Sequence, residues 1–502
     1  MKRLLEVGLK GKMWRVIRNL YLIVESCVLV GQDKTEWFSL DTGLRQGCIL
    51  SPVLFAVFID GLARAVKAAK TERSLGSLKI SILLFADDLV LIGNSRQELQ
   101  MLLDIVMKYS EQWRFQWNVA KSKVVIFRGR GQLQEGDSFF LGLSELEVVE
   151  QIKYLGVIFQ SNLSWAMTKE SIFKKARARL AIVRKAAIEG ISLDAMESLW
   201  STLIRPVLEY GSEIWGTCVW PEAEQIQREV GRKLLGVGSK SCDEAIRGDL
   251  GWWTLKGRRD YARLRFWHKV VNAAEDSLLK RTYRACKTVL SSVSTSWCWS
   301  IRKLLIDLKL AHVWDSEATG SAKDWQKLVR DCIHQKEIEK WSIGFWKKPK
   351  LRLYRTLKAN FGREEYLKLP SDQRSLVAAM RCGNNRLRID MGRRRKEKVQ
   401  DRICLVCGSG QVEDEKHFLL DCVAYNDLRL VLNARIAAET QMQIGMMEGE
   451  EHWLLDALIG CGLGNKEQPL RCYGVVAGFI RAAFKLRAER LEALELLKLR
   501  VK

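Results

Sequence analysis

The sequence lacks an uninterrupted apolar run long enough to cross a bilayer. Its most apolar stretches, Pro52 to Ala63 and Ile80 to Gly93, both contain Asp and fall short of the roughly 18 to 20 uncharged residues a membrane helix needs. A secretory start is missing too: MKRLLEVGLKGKMWR opens on basic residues, but Glu6 and Lys10 interrupt any signal-peptide core. Nor is there the dense cysteine spacing of a secreted scaffold. The 13 cysteines are odd in number and scattered over 502 residues, which points to a reduced intracellular setting, nucleus or cytoplasm. There is no internal repeat and no low-complexity tract. A soluble chain of roughly three or four domains is expected, because this length exceeds what one core uses.

Acid is scarce relative to base. Lys plus Arg number 82 against 59 for Asp plus Glu, a formal net charge of +23. A surplus of that size suits a polyanionic partner, since each phosphate neutralised releases counterions, and nucleic acid is the leading expectation. A basic protein with a solvated surface is the plainer alternative.

Against that background two adjacent acids stand out in LLFADDLVLIG, Leu83 to Gly93. Ile80, Ile82 and Leu84 alternate before them, Leu89 and Leu91 after them, so two short strands meeting at Ala86-Asp87-Asp88 form a predicted hairpin with the acids at its tip. Neighbouring strand residues point to opposite faces, which makes one Asp the direct ligand of a site and the other its support. On its own an Asp pair is also an ordinary turn dipeptide.

The flanking segments narrow the reading. Upstream, TGLRQGCILSP is a loop in which Gly43 and Gly47 permit close backbone approach and Arg45 and Gln46 offer polar contacts; Ser51 and Pro52 then read as the N-cap and first residue of a helix of roughly 17 residues. Downstream, Ser95 and Glu98 have capping-box spacing and open a second helix toward Trp113. NVAKSKVVIF follows, with Lys121 and Lys123 at the entry to a strand, and QIKYLGVIF repeats the strand pattern.

In this order the segments resemble the reverse transcriptases of non-LTR (LINE-type) retrotransposons over about residues 1 to 160. GLRQGCILSP is similar to the family's template- and nucleotide-contacting loop and helix, FADD to its metal-binding hairpin, NVAKSK to its lysine motif and YLGVIF to its primer-grip hairpin. RPVLEYGSEIWG, Arg205 to Gly216, is more loosely similar to a segment after the polymerase core. The resemblance implies an RNA-directed DNA polymerase working on an RNA template, a DNA primer or target DNA, and deoxynucleoside triphosphates. It implies that Asp87 binds Mg²⁺ with Asp88 beside it, that Lys121 neutralises or protonates the departing pyrophosphate, and that Arg45, Gln46 and Gly47 contact the templating pair. Phosphoryl transfer of this kind uses two Mg²⁺ ions, which favour hard oxygen ligands.

The sequence departs from the family at one point that matters. The family's two-metal site also draws an Asp from an earlier strand with a pattern like Ala-Phe-Asp, and nothing in residues 1 to 45 matches it; Asp33 and Asp41 read as turn residues. The fingers region and the separate endonuclease have no counterpart either. The expectation is a chain carrying the family's carboxyl-terminal part, inactive or nearly so alone, from a truncated gene copy or an incomplete gene model. The alternative is a catalytically dead remnant, or a host protein that keeps the basic surface to bind RNA or DNA.

A second metal pattern lies far downstream in DRICLVCGSGQVEDEKHFLLDC. Cys404-x2-Cys407 followed by His417-x4-Cys422 supplies four ligands at zinc-finger-like spacing, and four protein ligands leave no open position, so a structural Zn²⁺ is expected. The same run resembles the zinc-binding region at the carboxyl end of the family. Just before it, GRRRK, Gly392 to Lys396, is a nucleic-acid contact candidate. The fold class expected is α+β: a partial polymerase palm (1–160), a thumb-like helical domain (161–240), a helical connector (241–345), a basic zinc-binding region (346–435) and a carboxyl-terminal helical tail (436–502). In the connector, Trp252, Trp253, Trp297 and Trp299 are expected to be core residues, with base stacking the alternative.

Overall fold

The structure, a computed structural model, describes residues 1–40, 43–69, 78–128, 138–217, 219–290, 293–358, 360–440, 459 and 469–500. Asp41 and much of the tail beyond 440 lie outside them. The molecule is 62% helical with small, mainly antiparallel sheets, the α+β class expected from sequence. The chain divides into two compact units, Met1–Trp165 with Ala274–Ser292, and Ala166–Ala273 with Val293–Lys502. No helix among the described residues is long and apolar enough to cross a membrane.

In the first unit the predicted helix runs Ser51–Ala68, 18 residues, with Pro52 in its first turn. Ser51 is not its cap. Leu50 holds that position, and the Ser51 hydroxyl donates instead to the carbonyl of Arg45 at 2.7 Å, fastening the preceding loop to the helix start. The second helix, Arg96–Trp113, begins as predicted: Ser95 Oγ accepts from the Glu98 amide at 3.2 Å. The Glu98 carboxylate reaches one residue further back than a capping box requires and accepts from the Asn94 amide at 2.6 Å. Ile59, Leu62 and Val66 of the first helix share a core with Leu102, Leu103, Val106 and Tyr109 of the second, completed by Ile82 of the acidic hairpin and by Val124, Phe139, Leu141 and Leu146. The last four come from a three-stranded sheet in which Ser144–Val148 pairs antiparallel with Phe139–Leu141 and parallel with Lys123–Val124. Gly61 is required where these helices meet. A Cβ there would lie 2.5 Å from the Tyr109 hydroxyl, which donates to the Phe58 carbonyl at 3.0 Å.

The second unit is built of helices. In Ala166–Ile188 the apolar residues Ile172, Ala176, Leu180 and Val183 recur at helical spacing and are buried, while Lys174, Lys175, Arg177, Arg179, Arg184 and Lys185 are exposed. That face packs on Pro221–Leu235. Leu255–Val271 packs on the 25-residue helix Ala322–Trp346, and Pro469–Arg500 lies against Asn426–Thr440 and Ser371–Arg381. Buried charge organises this unit. Asp249 accepts from Arg381 Nε and Nη2 at 3.0 and 3.1 Å and from the hydroxyls of Tyr354 and Tyr366 at 2.9 and 2.8 Å, all four residues being fully buried. Burial would raise the Asp249 carboxyl, but the Arg381 guanidinium holds it below its ordinary value.

Candidate functional site

The acidic hairpin pairs Ile82–Phe85 with Asp88–Leu91 in the register Phe85 opposite Asp88 and Leu84 opposite Leu89. This leaves a two-residue turn, Ala86-Asp87. Ala86 adopts φ +51°, the left-handed region that a tight hairpin turn demands and that residues other than glycine rarely occupy. Asp87 therefore sits in the turn and Asp88 begins the returning strand, so simple strand alternation does not relate them as the sequence reading supposed. Both carboxylates are exposed.

The Tyr154 hydroxyl senses this hairpin: burial raises its pKa first, and the Asp88 carboxylate raises it further. Tyr154 ends the strand Gln151–Tyr154, which pairs with Val157–Gln160 across the turn Leu155-Gly156, where φ is +46° and +84°. This is the second predicted hairpin, and its tyrosine is a residue the sequence reading passed over although it stands in the quoted YLGVIF.

The two lysines of NVAKSK have different fates. Asn118 caps a single 3₁₀ turn, Val119–Lys121, by accepting from the Lys121 amide at 3.1 Å, and the exposed Lys121 side chain has no ion-pair partner among the described residues. Lys123 enters the sheet and pairs with Glu147 at 2.5 Å. Arg45, Gln46 and Gly47 form an exposed turn closed by the Cys48 amide on the Arg45 carbonyl at 3.3 Å. Gly47 has φ +81° with open space around it, so the backbone there is accessible from outside. Among the described residues no hydrogen bond or ion pair joins Arg45, Gln46, Gly47 or Lys121 to either aspartate, and no third Cys, His, Asp or Glu joins the pair in a metal-binding group.

Cys404, Cys407, His417 and Cys422, by contrast, converge with one ligand atom each, all within 4.8 Å of one another. The first two stand on a small knuckle held by an isolated bridge between Ile403 and Val412 and by the Cys404 amide on the Gln411 carbonyl at 2.8 Å. His417 and Cys422 bracket the single π-turn His417–Asp421. Cys404 Sγ and Cys422 Sγ are 4.0 Å apart and Cys407 Sγ is 3.5 Å from His417 Nε2. Tetrahedral zinc with Zn–S of about 2.3 Å sets sulfur atoms roughly 3.8 Å apart, so the donor set fits that ion in chemistry and spacing. Gln411 Oε1 lies 2.9 Å from His417 Nδ1, orienting the ring so that Nε2 faces the sulfurs. The thiols are unequal. Burial pushes Cys422 up to about 12, whereas at Cys407 hydrogen bonds, chiefly with Ser409, outweigh burial and bring it down to about 6.

Residues the sequence reading did not assign hold the knuckle in place. Buried Glu413 accepts from Arg487 Nε and Nη2 at 2.7 and 2.8 Å, buried Glu415 pairs with Arg352 and accepts from Asn385 Nδ2 at 2.8 Å, and Asp414 Oδ1 accepts the His417 amide at 2.8 Å. Their signal was the acidic run before the ligand histidine. In GRRRK, Arg393 and Arg394 both pair with Asp390, leaving Arg395 and Lys396 exposed.

Residues 1–159 match the family described as reverse transcriptase (RNA-dependent DNA polymerase). Over that segment the chain is similar to the reverse transcriptases of non-LTR retrotransposons. It is 33% identical over 132 residues to the retrovirus-related Pol polyprotein from type-2 retrotransposable element R2DM of Drosophila melanogaster, covering 25% of this chain and 12% of the relative. The Pol polyprotein from type-1 retrotransposable element R2 of Nasonia vitripennis is 31% identical over 157 residues, 30% of this chain and 15% of that one. Its counterpart in Popillia japonica is 26% identical over 245 residues, 46% of this chain and 39% of that one. The chain thus spans between 12% and 39% of the length of these relatives. The acidic hairpin, the Arg45–Gly47 turn and the lysine motif all lie within the reverse-transcriptase segment, and the Cys3His cluster lies outside it.

Proposed function

We propose that residues 1–160 serve as the palm of an RNA-directed DNA polymerase of a non-LTR retrotransposon, using an RNA template, a DNA primer or target DNA, and deoxynucleoside triphosphates. The observation that carries this reading is the exposed turn that presents Asp87, with Asp88 heading the next strand, inside the segment matching the reverse-transcriptase family. Exposed hard oxygens on a rigid turn suit Mg²⁺, and Asp87 with Asp88 would hold it. When bound, the metal supplies Lewis-acid stabilisation of the attacking hydroxyl and the departing pyrophosphate. Lys121, without an ion-pair partner among the described residues, would meet the pyrophosphate, and the open backbone at Gly47 with Arg45 and Gln46 would meet the templating pair. In the second unit, Cys404, Cys407, His417 and Cys422 would hold a structural Zn²⁺. The work belongs inside the cell, in nucleus or cytoplasm, where such thiols stay reduced.

A second reading, nucleic-acid binding without chemistry, is favoured by one observation: among the described residues no third ligand accompanies Asp87 and Asp88. Primer extension by the purified chain on an RNA template with Mg²⁺, beside Asp87→Ala, separates the two. Extension that depends on Asp87 supports the polymerase. Absence of extension from folded protein that still binds RNA supports the second reading.

A further inference from the structure

In the second unit the helix Leu193–Leu199 passes into a π-turn, Trp200–Ile204, before continuing as Arg205–Glu209. A π-turn shifts side chains off regular helical spacing and recurs at functional sites. Here Trp200, its first residue, and Arg205, the residue after it, line one cavity of about 350 Å³, a volume in the range that holds small ligands. Arg205 belongs to the RPVLEYG run that the sequence singled out and that the polymerase reading leaves without a role.

The lining offers three kinds of contact. The first is aromatic surface. Trp252, backed by the buried Trp200 that stacks on it at 5.4 Å and 19°, presents one ring, and Trp253 and Tyr261 add a second pair. The indole N–H groups of Trp252 and Trp253 are spent on Glu197 at 3.2 Å and His334 at 3.0 Å, so what those two rings have left for a ligand is their π surface. The second is positive charge. Arg205, Arg258 and Arg330 line the cavity and no carboxylate does. Arg258 is neutralised by Glu209, and Arg330, exposed, has no ion-pair partner among the described residues and touches Tyr261, its hydroxyl at 3.5 Å and its ring at 5.8 Å. The Arg205 side chain has no hydrogen-bond or ion-pair partner among the described residues, its Nε is buried and unpartnered, and burial followed by the neighbouring Arg258 lowers its pKa. The third is a hydrogen-bond acceptor. Gln227 is only 3% exposed; its Nε2 donates to the Trp253 carbonyl at 2.8 Å, while Oε1 is buried with no partner. Buried polar atoms in folded proteins are almost always paired, so this one points to a missing donor.

A ligand that satisfies all three has a planar ring, an N–H or O–H donor at its edge, and a negative charge. We propose that this cavity binds one nucleotide, with the base against the tryptophans, a base or ribose donor on Gln227 Oε1, and the phosphate on Arg205 and Arg330. The nucleotide comes either free in solution or turned out of a single strand. None of its lining residues belongs to the unit that carries the acidic hairpin, and the proposal does not depend on polymerase activity.

The test is calorimetric titration of the 502-residue chain with AMP, GMP, CMP, UMP, a short oligouridylate and inorganic pyrophosphate. At least one nucleotide should bind saturably and more tightly than pyrophosphate, and Arg205→Gln should weaken it about tenfold. Gln227→Met should narrow the differences among the four bases, and the titrations are run without Mg²⁺, which keeps this result distinct from any failure of the polymerase. Ultraviolet cross-linking of the oligouridylate should map to Trp252 or Trp253. If Arg205→Gln does not fold, the exposed Arg330→Gln serves in its place, with a loss of about threefold expected. Tighter binding of the oligomer than of UMP would support the strand as source, and equal binding would support the free nucleotide. Three results would each overturn the proposal: no saturable binding, pyrophosphate binding as tight as any nucleotide, or indifference to both arginine variants.

Discussion

The acidic hairpin and the Cys3His knuckle are both short turns carrying ligand-type side chains, yet they are built to opposite ends. The hairpin puts Asp87 and Asp88 in solvent, on a unit where Ile49, Val53 and Phe85 are also exposed. The knuckle buries Cys404, His417 and Cys422 against Phe418, Leu419 and Tyr425, with Glu413 and Glu415 clamped by arginines. Exposed carboxylates keep room for substrate and water, whereas a closed four-ligand set has no vacancy and converts metal affinity into folding free energy. On the proposed reading, the comparison separates a site whose loss costs chemistry from one whose loss costs structure.

Substitutions should follow that division. Cys404→Ser is expected to have the largest effect, removing much of the roughly 10 to 16 kcal/mol that a structural zinc site contributes as apparent binding free energy. Zinc content should fall from about one ion per chain and amides of residues 402–422 should lose hydrogen-exchange protection; equal zinc in variant and parent would end the assignment. Next comes Asp249→Ala. It removes the nearer of the two carboxylates that face the buried Arg381 guanidinium, leaving Glu364 at 3.3 Å, and should cost about 3 kcal/mol, visible as a lower denaturant midpoint of the second unit. Asp87→Ala should shift stability by no more than about 0.5 kcal/mol while abolishing any Mg²⁺-dependent primer extension. A large loss of stability there would make the hairpin structural and erase the contrast.

The smallest effect concerns the exposed pair Asp372 and Arg481. The hydrogen bond from Arg481 lowers the Asp372 carboxyl below its ordinary value of 3.8, so the pair's contribution is full above that value and is lost as pH falls through the folded-state value. Asp372→Asn should remove that part of the acid-side slope and no more, measured by thermal unfolding between neutral and acid pH. A change at neutral pH comparable to that of Asp249→Ala would contradict the ranking by burial.

Alternation around FADD, the Ser95 to Glu98 cap and the CxxC…HxxxxC spacing are local, with periods and offsets that backbone geometry imposes within a few residues. They placed both hairpins, both flanking helices and the four convergent ligands from sequence alone. The same local reading missed which aspartate occupies the turn, because strand alternation gives no warning that Ala86 takes a left-handed conformation. It missed the Ser51 hydroxyl turning back to Arg45, because a capping residue and a loop tether have the same composition. Tertiary structure alone decided that Tyr154 falls within the field of Asp88, that Arg381 supplies the counter-charge for Asp249 132 residues away, and that Trp200, Gln227, Trp252 and Arg330 line one cavity. These partners are far apart in the chain, and what unites them is helix packing and the need of each buried charge or polar atom for a partner. Neither leaves a period in the sequence.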